Sequence, residues 1–563
     1  PGDGWRLTVY RAGFTTPAWF RTGVMYQIFP DRFARDSSAT AQRGMEHHRR
    51  MGQTVHCHAG WDEPVEWQAN TPEGEYAPVD FYGGTLRGIA DRLHYLQKLG
   101  VTVLYLNPIF ESASNHRYDT GDYRKVDPIL GTNADFKKLC AAAADCGIRI
   151  VLDGVFAHTG ADSRYFNRFR HYPGCGAYNS HSSVYARWYS FAHYPDDYKC
   201  WWDFKGLPAV NAANPDWRKY MITGERSIVK TWLRDGASGW RLDVADELPD
   251  DVLRGMRSAA KETDPDSVLL GEVWEDAVTK VSYGERRQYA LGDALDSVMN
   301  YPLRDGLVAF LTGRSTAHAL ADLLLSQRLN YPRPLYYALM NLTASHDVAR
   351  TRSALALDFD PRSRTRAELA ALEITDAMAA RGAQLQVLAA AVQFWLPGIP
   401  SIYYGDETGM QGLCDPFNRA PLQMCDTQML QWYAQLTALR HAHPALTRGE
   451  VAVFAPAGDV LCVLRVIADG RDAFGEEAED EALLLIVNRA AHPVRCHVEL
   501  TCPGAGLCEE TRLAFVRSEY DCAADCTDDT HIAIRDGVGA FDLPPHAAKI
   551  YRLENRHGTE TGS

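Results

Sequence analysis

The apolar residues of the chain alternate between two patterns over its first three quarters. Short apolar runs with strand character occur near residues 24–33, 101–108, 149–156, 239–244, 268–274, 296–301, 338–345 and 399–404. Between them, apolar side chains recur three or four residues apart, as in 86–99, 134–145, 216–235 and 250–263. Eight strands alternating with amphipathic helices predict an α/β fold, a TIM (β/α)8 barrel of parallel strands.

Two regions depart from this alternation. Residues 159–208 are rich in Tyr, His, Trp, Gly and Ser, which predicts an inserted domain after strand 3. After 448, short alternating runs separated by Gly, Asp and Pro predict a C-terminal antiparallel β-sandwich. We therefore expect a barrel over 21–447 and the sandwich, with a disordered tail, over 448–563. Residues 1–20 look like the last strand and linker of an N-terminal β-sandwich.

Composition narrows the class of protein. The 563 residues are 46% hydrophobic and 23% charged, as in a globular protein, and the net charge is -14. No stripe of Lys and Arg is visible, so we expect no nucleic-acid partner. No apolar window reaches membrane-spanning length and no signal-like segment begins the chain, which predicts no membrane contact. Thirteen cysteines without repeated spacing favour free thiols and a cytoplasmic location, although a signal lost with a truncated N-terminus stays open.

Five apolar runs end in clusters of acidic residues, four of which also hold His, Arg or Trp. The clusters are Asp153 to His158, Gly239 to Asp243, Gly271 to Trp274, Ser345 to Asp347 and Gly405 to Glu407. The carboxyl ends of parallel barrel strands share one rim, where barrel enzymes hold their active sites. This pattern predicts an enzyme with a carboxylate-rich site on that rim.

The acids have the arrangement that glycoside cleavage needs, which is two carboxyl groups flanking the bond. Asp243 fits the nucleophile, with Arg241 two residues earlier on the same face of the strand to orient it. Glu272 would emerge beside it as the acid, about 5–5.5 Å away for retaining chemistry. Asp347 would be a third carboxylate. A lone strand-tip Asp is more often a helix cap, but three acids on one rim favour catalysis.

These motifs resemble those of the α-amylase family of retaining glycosidases, and within it the cyclomaltodextrinase, neopullulanase and maltogenic amylase group. The resemblance runs from about Val24 to the chain end. It implies Asp243 as nucleophile, Glu272 as general acid/base and Asp347 as transition-state stabiliser. It also implies that a further set of residues binds the sugar: His116, Tyr118, His158, Arg241, His346, Asp415 and Arg419.

Departures from the family pattern affect the expected metal and substrate. Ala157 stands where relatives usually have a calcium-binding Asn, and the calcium loop that many carry after Phe33 is missing. We therefore expect no cofactor and disfavour calcium. The fifth motif, Leu207 to Asn211, differs from that of neopullulanases. The preferred substrate among cyclodextrin, pullulan, starch and maltodextrins thus stays open.

The expected function is retaining hydrolysis of α-1,4 glucosidic bonds, with α-1,6 bonds as a further target. A transglycosylase or isomerase would share the same three acids, whereas a non-catalytic sugar-binding protein predicts a broken set. A homodimer is expected if the N-terminal module is present.

Two clusters of loop residues have two interpretations each. Trp201 and Trp202 are either sugar platforms or part of a small core, and the histidines at 47, 48, 56 and 58 form either a metal site or, in preference, a polar loop.

Overall fold

The structure is a computed structural model that describes residues 7–71, 74–500, 511–515, 531–535 and 538–555. The start of the predicted N-terminal remnant and the end of the predicted tail lie outside these residues. No helix of the described ranges is both long and apolar enough to cross a membrane.

The first sheet consists of eight parallel strands that follow one another around a barrel. They are β1 (Met25–Ile28), β2 (Val103–Leu106), β3 (Arg149–Gly154), β4 (Gly239–Leu242), β5 (Val268–Gly271), β6 (Ser297–Val298), β7 (Met340–Leu342) and β8 (Ile399–Tyr403). Each strand pairs with its neighbours in chain order, β8 pairs with β1, and a bridge between Met299 and Met340 joins β6 to β7. The predicted TIM barrel is confirmed.

Helices separate most of these strands and cover the outside of the barrel. Their bounds are Ala18–Arg21, Thr40–Arg50, Leu86–Asp91, Leu93–Lys98, Asn133–Asp145, Pro215–Arg218, Ile228–Arg234, Asp250–Thr263, Tyr301–Leu311, Ala317–Asn330, Arg333–Tyr336, Thr351–Ala356, Arg366–Ala370, Asp376–Trp395, Thr427–Ala442 and Pro444–Arg448. The helix expected over 216–235 is divided, because Gly224 adopts an extended conformation after a π-helical turn at Lys219–Thr223.

Alternation of side chains along the strands decides which residues enter the barrel. On β4, Trp240 and Leu242 pack in the outer core against the helices. Arg241 therefore points into the barrel, opposite Asp153 of β3 in the strand register. Asp243 follows on the same face at the carboxyl end. The lower barrel is filled by apolar side chains, among them Met25, Val103, Val151, Val268, Leu270, Met340 and Ile399.

Short two-stranded pieces lie in the loops around the barrel. They pair His56–Cys57 with Asp80–Phe81, Phe110–Ser112 with Thr120–Val126, Phe191–His193 with Asp197–Tyr198, and Val281–Ser282 with Glu285–Arg286. The third pair lies in the insertion after β3, where Tyr165, Phe166, Trp188 and Tyr198 pack together.

The second large sheet is antiparallel and follows the barrel. Its strands are β9 (Glu450–Ala457), β10 (Val460–Ile467), β11 (Glu481–Asn488), β12 (Val494–Glu499), β13 (Thr511–Phe515), β14 (His531–Arg535), β15 (Val538–Leu543) and β16 (Ala547–Asn555). This confirms the predicted C-terminal β-sandwich and adds β14 and β15, which the alternation did not indicate. The buried Arg465 of β10 joins it to the barrel through the carbonyls of Trp395, Leu446 and Gly449.

The strand expected near the start of the chain does not form in the described residues 7–17. The backbone N–H of Arg11 donates to the carbonyl of Leu291, and the hydroxyl of Thr8 donates to the backbone carbonyl of Asn330. This segment thus contacts a barrel loop and the end of the helix Ala317–Asn330, and the N-terminal β-sandwich remnant stays a prediction.

Candidate active site

A cavity of about 950 Å³ opens at the carboxyl ends of the barrel strands. Nine of the ten predicted site residues line it: His116, Tyr118, His158, Asp243, Glu272, His346, Asp347, Asp415 and Arg419. Arg241, the tenth, lies fully buried beneath it. The loops that follow β2, β3, β4, β5, β7 and β8 thus bring together residues spread over 300 positions of sequence.

Arg241 is the centre of the charged groups below the cavity. Its Nη1 lies 3.0 Å from Oδ1 of Asp153 and 2.9 Å from Oδ1 of Asp243. Its Nη2 lies 2.9 Å from Oε2 of Glu272. One planar guanidinium therefore holds carboxylates from the ends of β3, β4 and β5, and its rigid fork fixes their spacing. Asp153 was part of a predicted cluster, but its contact with Arg241 was not foreseen.

Glu272 is oriented by N–H donors on both carboxylate oxygens. Oε2 accepts from the backbone N–H of Val244 at 2.7 Å, and Oε1 accepts from the indole of Trp274 at 3.0 Å. Val244 has φ of 38°, which is rare for a β-branched residue and indicates local strain where its N–H is aimed at this acid. Trp274 thus acts on Glu272 as a hydrogen-bond donor.

Aromatic rings and a histidine form the wall on the β7 side. The ring of Tyr118 stacks on that of His346 at 5.1 Å, and its hydroxyl lies 2.6 Å from Nε2 of His346 and donates to Asp153 at 2.8 Å. The other nitrogen of His346 lies 2.9 Å from the amide of Gln27 in β1. Asp347 accepts a long bond from the Tyr301 hydroxyl at 3.4 Å.

Asp415 and Arg419 pair with each other at the mouth of the cavity, 2.9 Å apart. The guanidinium of Arg419 also donates to the carbonyl of His346 at 3.1 Å. The carbonyl fixes the Arg419 side chain, so that its charge faces the cavity near Asp347.

The crowding of acids changes their proton affinity. Burial raises the pKa of Asp243 well above its usual range; Arg241 opposes this shift, and the charges of Glu272, Asp153 and Asp347 add to it. Burial and the neighbouring Glu272 raise the pKa of Asp347 to about 7.

Burial lowers the pKa of His158 to about 4, and burial with the charges of Arg241 and Arg419 lowers the pKa of His346 well below its usual value. Both histidines are thus neutral hydrogen-bonding groups at neutral pH.

We expect Asp347 to make the folded protein less stable as pH rises. Its folded pKa of about 7 lies above the ordinary value of 3.8, so its contribution is fully present below pH 4 and is lost as pH rises through 7. Thermal melting from pH 5 to 8 should therefore show a steeper loss of stability in the wild type than in Asp347→Asn. Equal slopes in the two proteins would contradict this shift.

The cluster after β8 does not join the site. Glu407 accepts from the hydroxyls of Tyr26 and Tyr95, both at 2.7 Å, and Asp406 accepts from Thr351. Gly405, with φ of 88°, turns the chain away from the rim, so both carboxylates are buried among protein donors outside the cavity. They follow the end of β8 as expected, but their expected place in the carboxylate-rich site is wrong.

The structure also places the loop residues for which the sequence left two interpretations open. Trp201 and Trp202 line the cavity, with Trp202 79% exposed, while other rings form the core of the insertion. The histidines face carboxylates singly: His48 lies beside Asp127, His56 beside Glu66 and His58 between Glu63 and Asp80. Among the described residues no group of three or more His, Cys, Asp and Glu side chains has the arrangement of a metal site.

The residues at the family's calcium position do not fit a calcium ion. Ala157 offers only a methyl group, and its carbonyl accepts from the N–H of Val210. Asp31, which precedes the expected loop, already accepts from the N–H groups of Tyr82 and Gly83 and from Arg32. Calcium requires six or more oxygen ligands, which these positions do not supply.

A parallel barrel that brings three strand-tip carboxylates together around one buried arginine defines the class of barrel proteins with a carboxylate-based site. The chain belongs to the α-amylase family, because the model of the α-amylase catalytic domain matches residues 27–424. It is 36% identical to an amylopullulanase of Thermoanaerobacterium saccharolyticum over 88% of the chain, and it spans 40% of that longer protein. It is 32% identical to a cyclomaltodextrinase of Geobacillus thermopakistaniensis, over 85% of the chain and 70% of that protein.

Solved structures give the same relationship. A cyclic α-maltosyl-(1→6)-maltose hydrolase from Arthrobacter globiformis is 27% identical, with a TM-score of 0.69 over 96% of this chain and 100% of that one. A cyclomaltodextrinase structure reaches 0.73 at 26% identity, over 96% and 79% of the two chains.

Proposed function

We propose that the chain is a retaining hydrolase of α-glucans that cleaves α-1,4 and α-1,6 glucosidic bonds. One observation carries the proposal: Arg241 holds Asp243 and Glu272 on neighbouring strand ends, with Asp347 lining the same cavity. Relatives named amylopullulanase, cyclomaltodextrinase and cyclic α-maltosyl-(1→6)-maltose hydrolase support this class of substrate. Sugars are neutral and rich in hydroxyls, which suits the neutral histidines and the paired charges of the wall.

The proposed reaction has two displacements. The reaction uses the ionised form of Asp243, which Arg241 favours against burial. Its carboxylate attacks the anomeric carbon while the protonated form of Glu272 gives its proton to the leaving oxygen, and the glycosidic C–O bond breaks. Glu272 then takes a proton from water, whose oxygen attacks the same carbon and releases Asp243. Ionised Asp347 stabilises the positive charge that develops on the sugar, with Tyr301 bonded to it.

The sugar would be held by neutral groups around these acids. His346 and Tyr118 form one fixed wall, because Gln27 bonds to Nδ1 of His346 and Asp153 accepts from the hydroxyl of Tyr118. His158 donates from Nε2 to the carbonyl of Tyr118, so its neutral ring leaves Nδ1 as a further acceptor. Arg419 and Asp415 would bind hydroxyls of the neighbouring sugar. These groups orient the ring before the reaction, which lowers its entropic cost.

A transglycosylase or isomerase would use the same three acids and differ in what attacks the intermediate. Neither a cytoplasmic location nor a homodimer follows from the site, and both stay predictions within this proposal.

Product analysis tests the function and the expected lack of calcium together. We expect β-cyclodextrin, pullulan, soluble starch and maltotriose to give short maltooligosaccharides, with the α-anomer released first. Pretreatment with EDTA should leave the rates unchanged, because Ala157 has no side-chain oxygen and both carboxylate oxygens of Asp31 already accept from protein donors. Transfer products in excess of hydrolysis would favour the transglycosylase, and the absence of any product would reject catalysis. A rate lost with EDTA and restored by calcium would contradict the metal-free site.

A further inference from the structure

An exposed tyrosine stands on the wall of the cavity at the tip of a hairpin. Tyr283 joins the paired segments Val281–Ser282 and Glu285–Arg286, lines the cavity and is 76% exposed. A single exposed ring is ordinary on a protein surface, but this cavity also exposes the rings of Trp202, Phe204 and Trp274, and such a group of apolar side chains indicates a ligand surface.

The backbone holds this ring in place at some cost. Tyr283 has φ of 54°, in the left-handed region that favours glycine, and Gly284 follows with φ of 81°. Trp202, an exposed ring that reaches the same cavity from the insertion after β3, likewise has φ of 45°. Unfavourable backbone conformations persist where the surroundings fix them, and they are concentrated at functional sites.

Two polar contacts tie the hairpin to the loop that follows the proposed nucleophile. The hydroxyl of Tyr283 donates to Oε1 of Glu247 at 2.5 Å. Lys280, at the base of the hairpin, lies 2.9 Å from Asp246. Asp246 and Glu247 belong to the short helix that begins one residue after Val244, whose N–H binds Glu272. The hairpin is therefore fixed relative to the proposed acid.

The position of the hairpin relative to Glu272 determines which part of a substrate would contact Tyr283. The proton of Glu272 must reach the leaving oxygen, so the leaving sugar lies on the Glu272 side of the cavity. Trp274 donates to Glu272, with its ring stacked on Tyr301, and Tyr283 lines the same cavity on the hairpin that follows Trp274 in the chain. A chain that extends from the leaving sugar would pass Trp274 first and then Tyr283.

We propose that Tyr283 is a stacking platform for a glucose unit beyond the first leaving sugar, and that it determines specificity for longer chains. The apolar C–H face of a pyranose packs on the face of an aromatic ring, while its hydroxyls stay in water. Glu247 fixes the ring so that little side-chain entropy is lost on binding. The proposal rests on the proposed function, because that function defines the leaving side.

Binding in an inactive background tests the platform without turnover. By calorimetry, Asp243→Asn/Tyr283→Ala should bind maltoheptaose roughly tenfold more weakly than Asp243→Asn, as expected for losing one ring face. Asp243→Asn/Tyr283→Phe keeps the ring and should bind within about twofold of Asp243→Asn. An equal loss in the Phe variant, or no loss in the Ala variant, would overturn the platform. So would a failure of Asp243→Asn to bind maltoheptaose.

Kinetics test whether Tyr283 binds sugars on the leaving side of the cleft. α-Maltosyl fluoride carries no sugar on the leaving side, so Tyr283→Ala should lower the ratio of kcat/KM for maltoheptaose to that for the fluoride about tenfold, mainly through KM. Phe169→Ala removes another exposed ring, 54% exposed and outside the described cavity lining, and should leave the ratio unchanged. An unchanged ratio in Tyr283→Ala would overturn the leaving-side placement. If the wild type cleaves neither substrate, the proposed function fails, and the calorimetry still decides whether Tyr283 binds sugar.

Discussion

Replacing Asp243 by Asn is expected to lower kcat on maltodextrins by a factor on the order of 10⁴ or more, the scale seen when a covalent nucleophile is removed. The substitution keeps the size of the side chain and removes the attacking carboxylate. It also removes one negative charge from a group in which burial and three neighbouring acids already disfavour that charge. We therefore expect a melting temperature equal to or above that of the wild type, since relieving such strain stabilises a site.

A rescue experiment separates a nucleophile from a residue that only shapes the site. In Asp243→Ala the missing side chain leaves room for azide, whose nitrogen attacks the anomeric carbon of α-maltosyl fluoride as the C–F bond breaks. A single displacement inverts the configuration, so the product should be β-maltosyl azide. If azide gives no product, or gives the α-anomer, Asp243 is not the nucleophile.

Asp406 provides the matched control at the end of another barrel strand. It accepts from Thr351 and lies beside Arg350, outside the cavity. Asp406→Asn should therefore lower the melting temperature and leave kcat per folded molecule near that of the wild type. Asp243→Asn should thus lose turnover and keep its melting temperature, whereas Asp406→Asn should lose melting temperature and keep its turnover. A loss of turnover in Asp406→Asn as large as in Asp243→Asn would show that strand-tip acids act on activity through folding alone.

The barrel could be predicted from the sequence because the apolar side chains along each strand indicate which of its faces are buried. Runs such as Val268 to Leu270 are apolar on both faces, since β5 packs against the barrel interior and the outer helices. The carboxyl end of each strand then follows from chain direction. Together these two features suffice to place Asp243, Glu272 and Asp347 at one cavity.

Contacts that depend on loop conformation could not be predicted in this way. Glu407 follows a strand as Glu272 does, but the turn at Gly405 directs it to Tyr26 and Tyr95. Tyr283 lies in a stretch without periodicity, and only the hairpin brings it to the cavity. Ion pairs such as Lys280 with Asp246 join residues 34 positions apart, and no local pattern marks them.

Replacing Arg241 by Met should have the largest effect on stability of any single substitution at the site. Arg241 is fully buried and pairs with Asp153, Asp243 and Glu272. Methionine fills a similar volume but leaves three buried carboxylates without a cation, and breaking a buried pair in this way costs about 3–5 kcal/mol. Urea unfolding at pH 7 should show that loss, and a smaller one at pH 5, where acids with raised pKa values bind protons and no longer repel. Activity should be lost because the spacing of Asp243 and Glu272 is no longer fixed.

The variant Arg241→Lys distinguishes charge from geometry. An ammonium restores the positive charge but is a point donor, so it cannot hold acids from three strands in one plane. We expect it to recover part of the stability and little of the activity. Arg465, equally buried but bound to backbone carbonyls between the barrel and β10, is the control. Arg465→Met should destabilise the protein and leave kcat per folded molecule unchanged. Full activity in Arg241→Lys would mean that charge alone organises the acids, and the fork of the guanidinium would lose its role in the proposed reaction.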